Sequence, residues 1–323
     1  MQITQKQKKY LKLILQIIIY GLVIYYIYER LAGNWDVFEK IEDFSYPLLF
    51  ASIFVFAFHS IWNGIVWHYM INTPKYNLSL MGQVDVYLRS YLLRYIPGNV
   101  VGILSRAIFN RVHGVPILKS LFAWCYENLL YLIVASVLGS FIIIRAGENW
   151  PIFGAIPSVP FFIFVIIAGL LIALNVDWFE KMFNKYLVPR LPQRVKRETD
   201  LLNISLKKRI DIFIGFSVSW LIYSLSFLLL VSAVDISLLH MNVLELMSIN
   251  ALAWFIGFIS FVTPSGSGVR EWVMIFALEN FMHIVPQIAI IIALLARIVF
   301  ILGELLGFGG FFSFKYIYNY VKS

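Results

Sequence analysis

A chain of 323 residues in which 60% are hydrophobic, 14% are charged and the mean hydropathy is +0.80 excludes a soluble fold and puts membrane class first. The formal net charge of +8 suggests nucleic acid, but the basic residues fall in short segments between apolar runs, where they set membrane orientation, so no nucleic-acid partner is expected. The single cysteine, Cys125, lies inside an apolar run, which rules out an intramolecular disulfide and reads as a small core residue.

In chain order, Lys6, Lys8 and Lys9 before a first span at 11–28, with Lys12 at its start, place the amino terminus in the cytoplasm. Glu29 and Arg30 stand where a signal peptide would carry small residues, so this helix is retained. The acidic segment that follows, with Asp36, Glu39, Glu42 and Asp43, is then external, and a second span at about 47–71 returns inward near Lys75. Residues 79–113 form an apolar stretch interrupted by Ile96-Pro97-Gly98-Asn99-Val100-Val101-Gly102. Spans at 117–144 and about 152–174 go out and back. The segment 175–209 is the strongest topology marker, with Lys181, Lys185, Arg190, Arg194, Lys196, Arg197, Lys207, Lys208 and Arg209 marking it as cytoplasmic.

The second half repeats the layout. A span at 210–234 goes out, residues 243–283 are interrupted by Thr263-Pro264-Ser265-Gly266-Ser267-Gly268-Val269-Arg270, and a span at 287–313 comes back to Lys315, Lys322 and a cytoplasmic carboxy terminus. Proline removes a backbone donor and glycine permits tight turns, so each interrupted segment reads as a hairpin that enters and leaves on one side. The sequence thus predicts an all-α polytopic membrane protein with about six full transmembrane helices plus two broken re-entrant helical hairpins in an inverted-repeat arrangement. Eight transmembrane helices, or two surface helices and two kinked spans, are the alternatives. One domain covers 1–323, with halves at about 1–174 and 210–323 around the basic 175–209 segment.

An ionised side chain at the centre of a membrane helix costs about 2.5–3.5 kcal/mol on insertion scales, so such residues face a partner or a hydrated cavity. Arg89, Arg94 and Arg106 flank the first break, Arg270 and Glu271 follow the second, and Glu127, Arg297 and Glu304 lie in full spans. A helix resuming after a break offers free N–H groups and a positive dipole end, and arginine adds a planar fork for phosphate oxygens. The candidate headgroup site is therefore Arg94, Pro97, Gly98, Asn99, Gly102 and Arg106 with Pro264, Gly266, Gly268 and Arg270. Glu127, Glu271, Arg297 and Glu304 are candidates for charge balance, or else for pairs that only hold helices together. His59 and His68, nine residues apart, fall on opposite helix faces and make no metal pair. Gly303, Gly307 and Gly310 include a Gly-x-x-x-Gly spacing that marks close helix packing. No Walker loop, dinucleotide fingerprint, metal-ligand cluster or nucleophile elbow is present, so no cofactor, metal or catalytic residue is expected.

The runs Arg94-Tyr95-Ile96-Pro97-Gly98-Asn99, continuing to Gly102 and Arg106, and Pro264-Ser265-Gly266-Ser267-Gly268-Val269-Arg270-Glu271 resemble the paired signatures of the lysylphosphatidylglycerol synthase transmembrane-region family, also called flippase-like domain proteins. The resemblance covers nearly the whole chain. It implies movement of lipids between leaflets; in bifunctional members a separate carboxy-terminal domain transfers lysine. This chain ends at Ser323, so lysyl transfer is not expected of it. The expected function is a flippase or scramblase of the cell membrane for an anionic phospholipid or polyprenyl-linked lipid, driven downhill, by ions or by a partner. The alternatives are a membrane-embedded glycosyl- or phosphotransferase acting on a lipid-linked substrate and a non-catalytic partner of a lipid or glycan biosynthetic enzyme.

Overall fold

A computed structural model describes residues 44–73, 75–76, 78–93, 100–147, 158–190, 204–238, 243–260, 266 and 268–322. The expected span at 11–28 and most of both break sequences, including Arg94, Pro97, Gly98, Asn99 and Pro264, lie outside them. Among the described residues there are ten α-helices and no strand. A chain this apolar must satisfy its backbone internally, and helices do so segment by segment.

Among the described residues four helices are long and apolar enough to cross a membrane: α1 (Tyr46–Ile71), α4 (Ile117–Gly147), α7 (Leu206–Val234) and α10 (Pro286–Lys322). Local chemistry sets several boundaries. Ser45 and Pro47 open α1, Ser205 Oγ accepts the Lys208 N–H at the start of α7, and Pro286 opens α10. Between α4 and α7, α5 (Ser158–Leu174) falls in the segment expected as a span at about 152–174. It bends by 74° at Asn175, whose side chain caps α6 (Val176–Tyr186) by accepting the Trp178 N–H.

The helix α6 departs from the reading of 175–209 as a loop. It is amphipathic and too polar to register as an apolar run. Its buried face, Val176 and Phe183 with Phe179 beside them, packs on Phe122 and Tyr126 of α4, and Arg209 of α7 grips Asp177 at 3.1 Å. Lys181 and Lys185 are left exposed on the other face.

Two pairs of short helices follow the expected breaks. The first pair is α2 (Leu80–Leu92) and α3 (Val100–Val112); the second is α8 (Val243–Ile259) and α9 (Val269–Phe281). Thirteen residues of helix reach only about 20 Å, short of the roughly 30 Å hydrocarbon core, so α2, α3 and α9 cannot cross it alone. Each pair folds back. Gly82 of α2 lies beside His113 and Ser90 bonds Arg106, while Gly257 of α8 lies against Arg270 of α9.

The halves pack antiparallel. Along α1 and α7, Ser45 pairs with Ala233, Ser52 with Ser226, Asn63 with Ser219 and Tyr69 with Asp211. Hairpin 1 (α2–α3) follows the end of α1 and hairpin 2 (α8–α9) the end of α7, so they open toward opposite ends of the bundle. The contacts obey the same inversion: α10 packs on α1 and α2 as α4 packs on α7 and α8. Gly303 and Gly307 let α10 lie against the α1 backbone at Ile53 and Ala57. One end gathers positive charge, with Lys208 bonded to the Asn72 carbonyl, Lys119 over Tyr76 and Lys315 paired with Asp85; Asp235 and Glu245 lie toward the other.

Candidate functional site

The buried charge of hairpin 1, Arg106, is closed on Glu127 of α4. Arg106 is 3% exposed. Its Nη1 donates to Glu127 Oε2 of α4 at 2.5 Å and its Nε to Ser90 Oγ of α2 at 2.9 Å, while Tyr87 Oη donates to Glu127 Oε1 at 2.9 Å. The guanidinium carbon is also 4.1 Å from the Tyr87 ring centroid and 4.7 Å from that of Trp67. An ion pair, a hydroxyl and two rings surround a buried cation, which is the arrangement of a staple between α3 and its neighbours. The sequence placed Arg106 in the candidate headgroup site; this geometry favours pairing with Glu127 instead. Gly102 lies in the first turn of α3.

Hairpin 2 holds its charges differently. The chain re-enters helix through Gly266 (φ +67°) and Gly268 (φ +87°), left-handed conformations that glycine adopts without strain. Gly266 also approaches the Gly257 carbonyl so closely that a Cβ would lie 2.5 Å from its oxygen. The Gly268 N–H donates to Glu271 Oε2 at 2.6 Å. Glu271 therefore takes up one of the N–H groups that the sequence offered to a phosphate at the start of α9. The adjacent Arg270 is only partly buried. Its Nη2 donates to Tyr223 Oη of α7 and, at 3.4 Å, to Asn250 Oδ1 of α8, and the guanidinium carbon lies 4.5 Å from the Phe300 ring centroid of α10. Asn250 is fully buried, and its Nδ2 has no hydrogen-bond partner among the described residues, so a donor is left beside Arg270. Arg297 of α10 sits 3.9 Å from Glu271 Oε1, too far for a direct hydrogen bond, with its side chain 22% exposed. Glu304 is buried further along α10, between the two glycines that pack on α1.

A polar belt that the sequence reading did not pick out joins these centres. Asn63 Oδ1 of α1 accepts from Tyr131 Oη of α4 and Ser219 Oγ of α7, both at 2.6 Å. That leaves Asn63 Nδ2 to donate to His59 Nε2 at 3.1 Å, which puts the imidazole proton on Nδ1. Tyr131 lies one turn beyond Glu127 on α4, and Ser219 one turn before Tyr223 on α7, so the belt runs from Arg106–Glu127 across the bundle to Tyr223–Arg270. Trp220, Trp254, Phe56 and Phe300 wall it. Polar residues at the buried positions 59, 60 and 63 of an apolar span were the available signal. Among the described residues no group of three His, Cys, Asp or Glu side chains is placed to hold a metal ion.

A site made of arginines, tyrosines and amides between two hairpins in a lipid-soluble bundle is suited to a polar headgroup with an anionic part. No curated protein matches the chain. The family model described as lysylphosphatidylglycerol synthase TM region matches residues 13–307, nearly the whole sequence and both hairpins, and the chain belongs to that family of multi-pass membrane proteins.

Proposed function

We propose that the protein translocates a lipid with an anionic or phosphate-bearing headgroup, a membrane phospholipid or a polyprenyl-linked lipid, across the cell membrane and acts as a transporter, not an enzyme. In this reading the basic end and both termini face the cytoplasm. The carrying observation is Arg270: a partly buried guanidinium, held by Tyr223 and Asn250 where α7, α8, α9 and α10 meet, beside an unused amide donor. Arginine presents a donor fork matched to phosphate oxygens, and the low dielectric strengthens such bonds. Hairpins opening to opposite ends give the headgroup an approach from either leaflet, with the polar belt between them, while acyl or prenyl chains stay in the bilayer.

The test is reconstitution of the purified chain in liposomes with fluorescent phospholipids or a short polyprenyl phosphate, with leaflet movement read by a membrane-impermeant quencher. Arg270→Ala should slow movement about ten- to hundredfold per folded molecule, the equivalent of about 1.5–3 kcal/mol for a charge-assisted hydrogen bond. Arg270→Lys should restore it in part, because lysine keeps the charge and loses the fork. Movement no faster than in protein-free vesicles, across both lipid classes, would refute transport and turn attention to a transferase or an accessory role.

A further inference from the structure

Hairpin 1 carries buried polar groups that its charged pair does not use. Asn110 on α3 is fully buried, and neither its amide nitrogen nor its amide oxygen has a hydrogen-bond partner among the described residues. The same holds for Gln83 Nε2 on α2 and Ser120 Oγ on α4, both on side chains 1% exposed, and for Tyr76 Oη in the turn before α2. Buried polar atoms are normally satisfied, by water where the protein supplies nothing.

Helical register places Gln83, Asn110 and Ser120 on the faces by which α3 packs against α2 and α4. Arg106 meets Ser90 on α2 and Glu127 on α4, which fixes the register of three adjacent helices. Asn110 is four residues past Arg106, on the same face of α3 and one turn nearer the basic end. Alongside it runs the part of α4 that precedes Glu127 by one to two turns, where Ser120 and the 2% exposed Lys119 lie. Gln83 turns its Oε1 to Trp67 Nε1 at 3.2 Å, and the Trp67 ring in turn flanks Arg106. At the basic end Lys119 Nζ stands 4.5 Å from the Tyr76 ring centroid.

We infer that these groups line a buried water column, open at the basic end beside Tyr76 and Lys119, that runs past Ser120, Gln83 and Asn110 to the Arg106–Glu127 pair and gives water and its protons a route to the Glu127 carboxylate. Facing that carboxylate are Arg106 from α3, Tyr87 and its stacked neighbour Tyr91 from α2, and Tyr131 on α4, which contacts His59 of α1. Between Lys119 at the basic end and the Arg106–Glu127 pair, Ser120, Gln83 and Asn110 are uncharged and able both to donate and to accept, or to offer an unused donor, as a hydrogen-bonded chain of waters requires. The column does not depend on the identity of any transported lipid.

Hydroxyl-radical labelling by water radiolysis on the full chain in lipid nanodiscs tests this directly, because radicals form where bound water sits. Tyr87, 1% exposed and next to the proposed column, is compared with Tyr126, equally buried on α4 but with its hydroxyl satisfied by the Ala173 carbonyl. Tyr87 should label at least fivefold faster than Tyr126, and Asn110→Leu or, should that variant fail to fold, Ser120→Ala should cut Tyr87 labelling severalfold while leaving Tyr126 unchanged. Equal labelling of the two tyrosines in the unmodified protein would overturn the column whatever the lipid assay shows.

Discussion

The two hairpins are built alike and used differently. Each is tied to the following long helix by one arginine and one glutamate with the signs exchanged: Arg106 of α3 to Glu127 of α4, and Glu271 of α9 to Arg297 of α10. In hairpin 1 the pair is in contact at 2.5 Å with both side chains at most 6% exposed; in hairpin 2 it is 3.9 Å apart, with Glu271 buried and the Arg297 side chain 22% exposed. Residue type does not distinguish these cases. Burial does, because a charge removed from water must be matched on every side, whereas one that keeps some water can lose its partner at little cost. Hairpin 1 accordingly has its central charge fixed by Glu127, whereas Arg270 of hairpin 2 stays partly exposed, as the proposed headgroup role requires.

The strongest way to break the comparison is to empty one side of the hairpin 1 pair. Arg106→Ala leaves Glu127 buried and unmatched and should cost about 3–5 kcal/mol of stability, seen as early loss of the monodisperse peak after heating in detergent. Arg106→Met combined with Glu127→Leu should recover most of that loss. A double variant no more stable than the singles would mean that the pair is not the staple described here.

Next in size is the backbone of hairpin 2. Gly266→Ala and Gly114→Ala both force alanine into a left-handed conformation, at about 1–2 kcal/mol each. Gly114 has open space around it, whereas a Cβ at Gly266 collides with the Gly257 backbone and should add about 1–3 kcal/mol. Equal melting shifts for the two variants would contradict the close approach of α8 to the turn into α9.

Function should divide the same way. Arg270→Ala should lower lipid movement about ten- to hundredfold per folded molecule while barely changing the melting behaviour, the reverse of Arg106→Ala. A smaller loss of stability than for Arg106→Ala is expected for Arg297→Gln, since its 3.9 Å contact with Glu271 is not a direct hydrogen bond and its side chain keeps 22% exposure. A large destabilisation there would make the two hairpins equivalent after all.

Composition and apolar run length determined the membrane class, the α-helical architecture and the positions of α1, α4, α7 and α10, because a bilayer imposes length and apolarity locally, residue by residue. Proline and glycine marked where the short helices part, and the 13-residue α2, α3 and α9 are each shorter than a full span. The helix α6 escaped because an amphipathic surface helix has no apolar run to announce it. Partnership was decided only by tertiary structure. Arg106 and Glu127 were both visible as costly charges, but that they neutralise each other depends on a hairpin bringing positions 21 apart in sequence face to face. The Asn63, Tyr131 and Ser219 cluster draws on three helices separated by 68 to 156 residues, where each polar group taken alone is an ordinary feature of its span. A buried polar group acquires its role from the groups that satisfy it, and in a bundle those come from other helices.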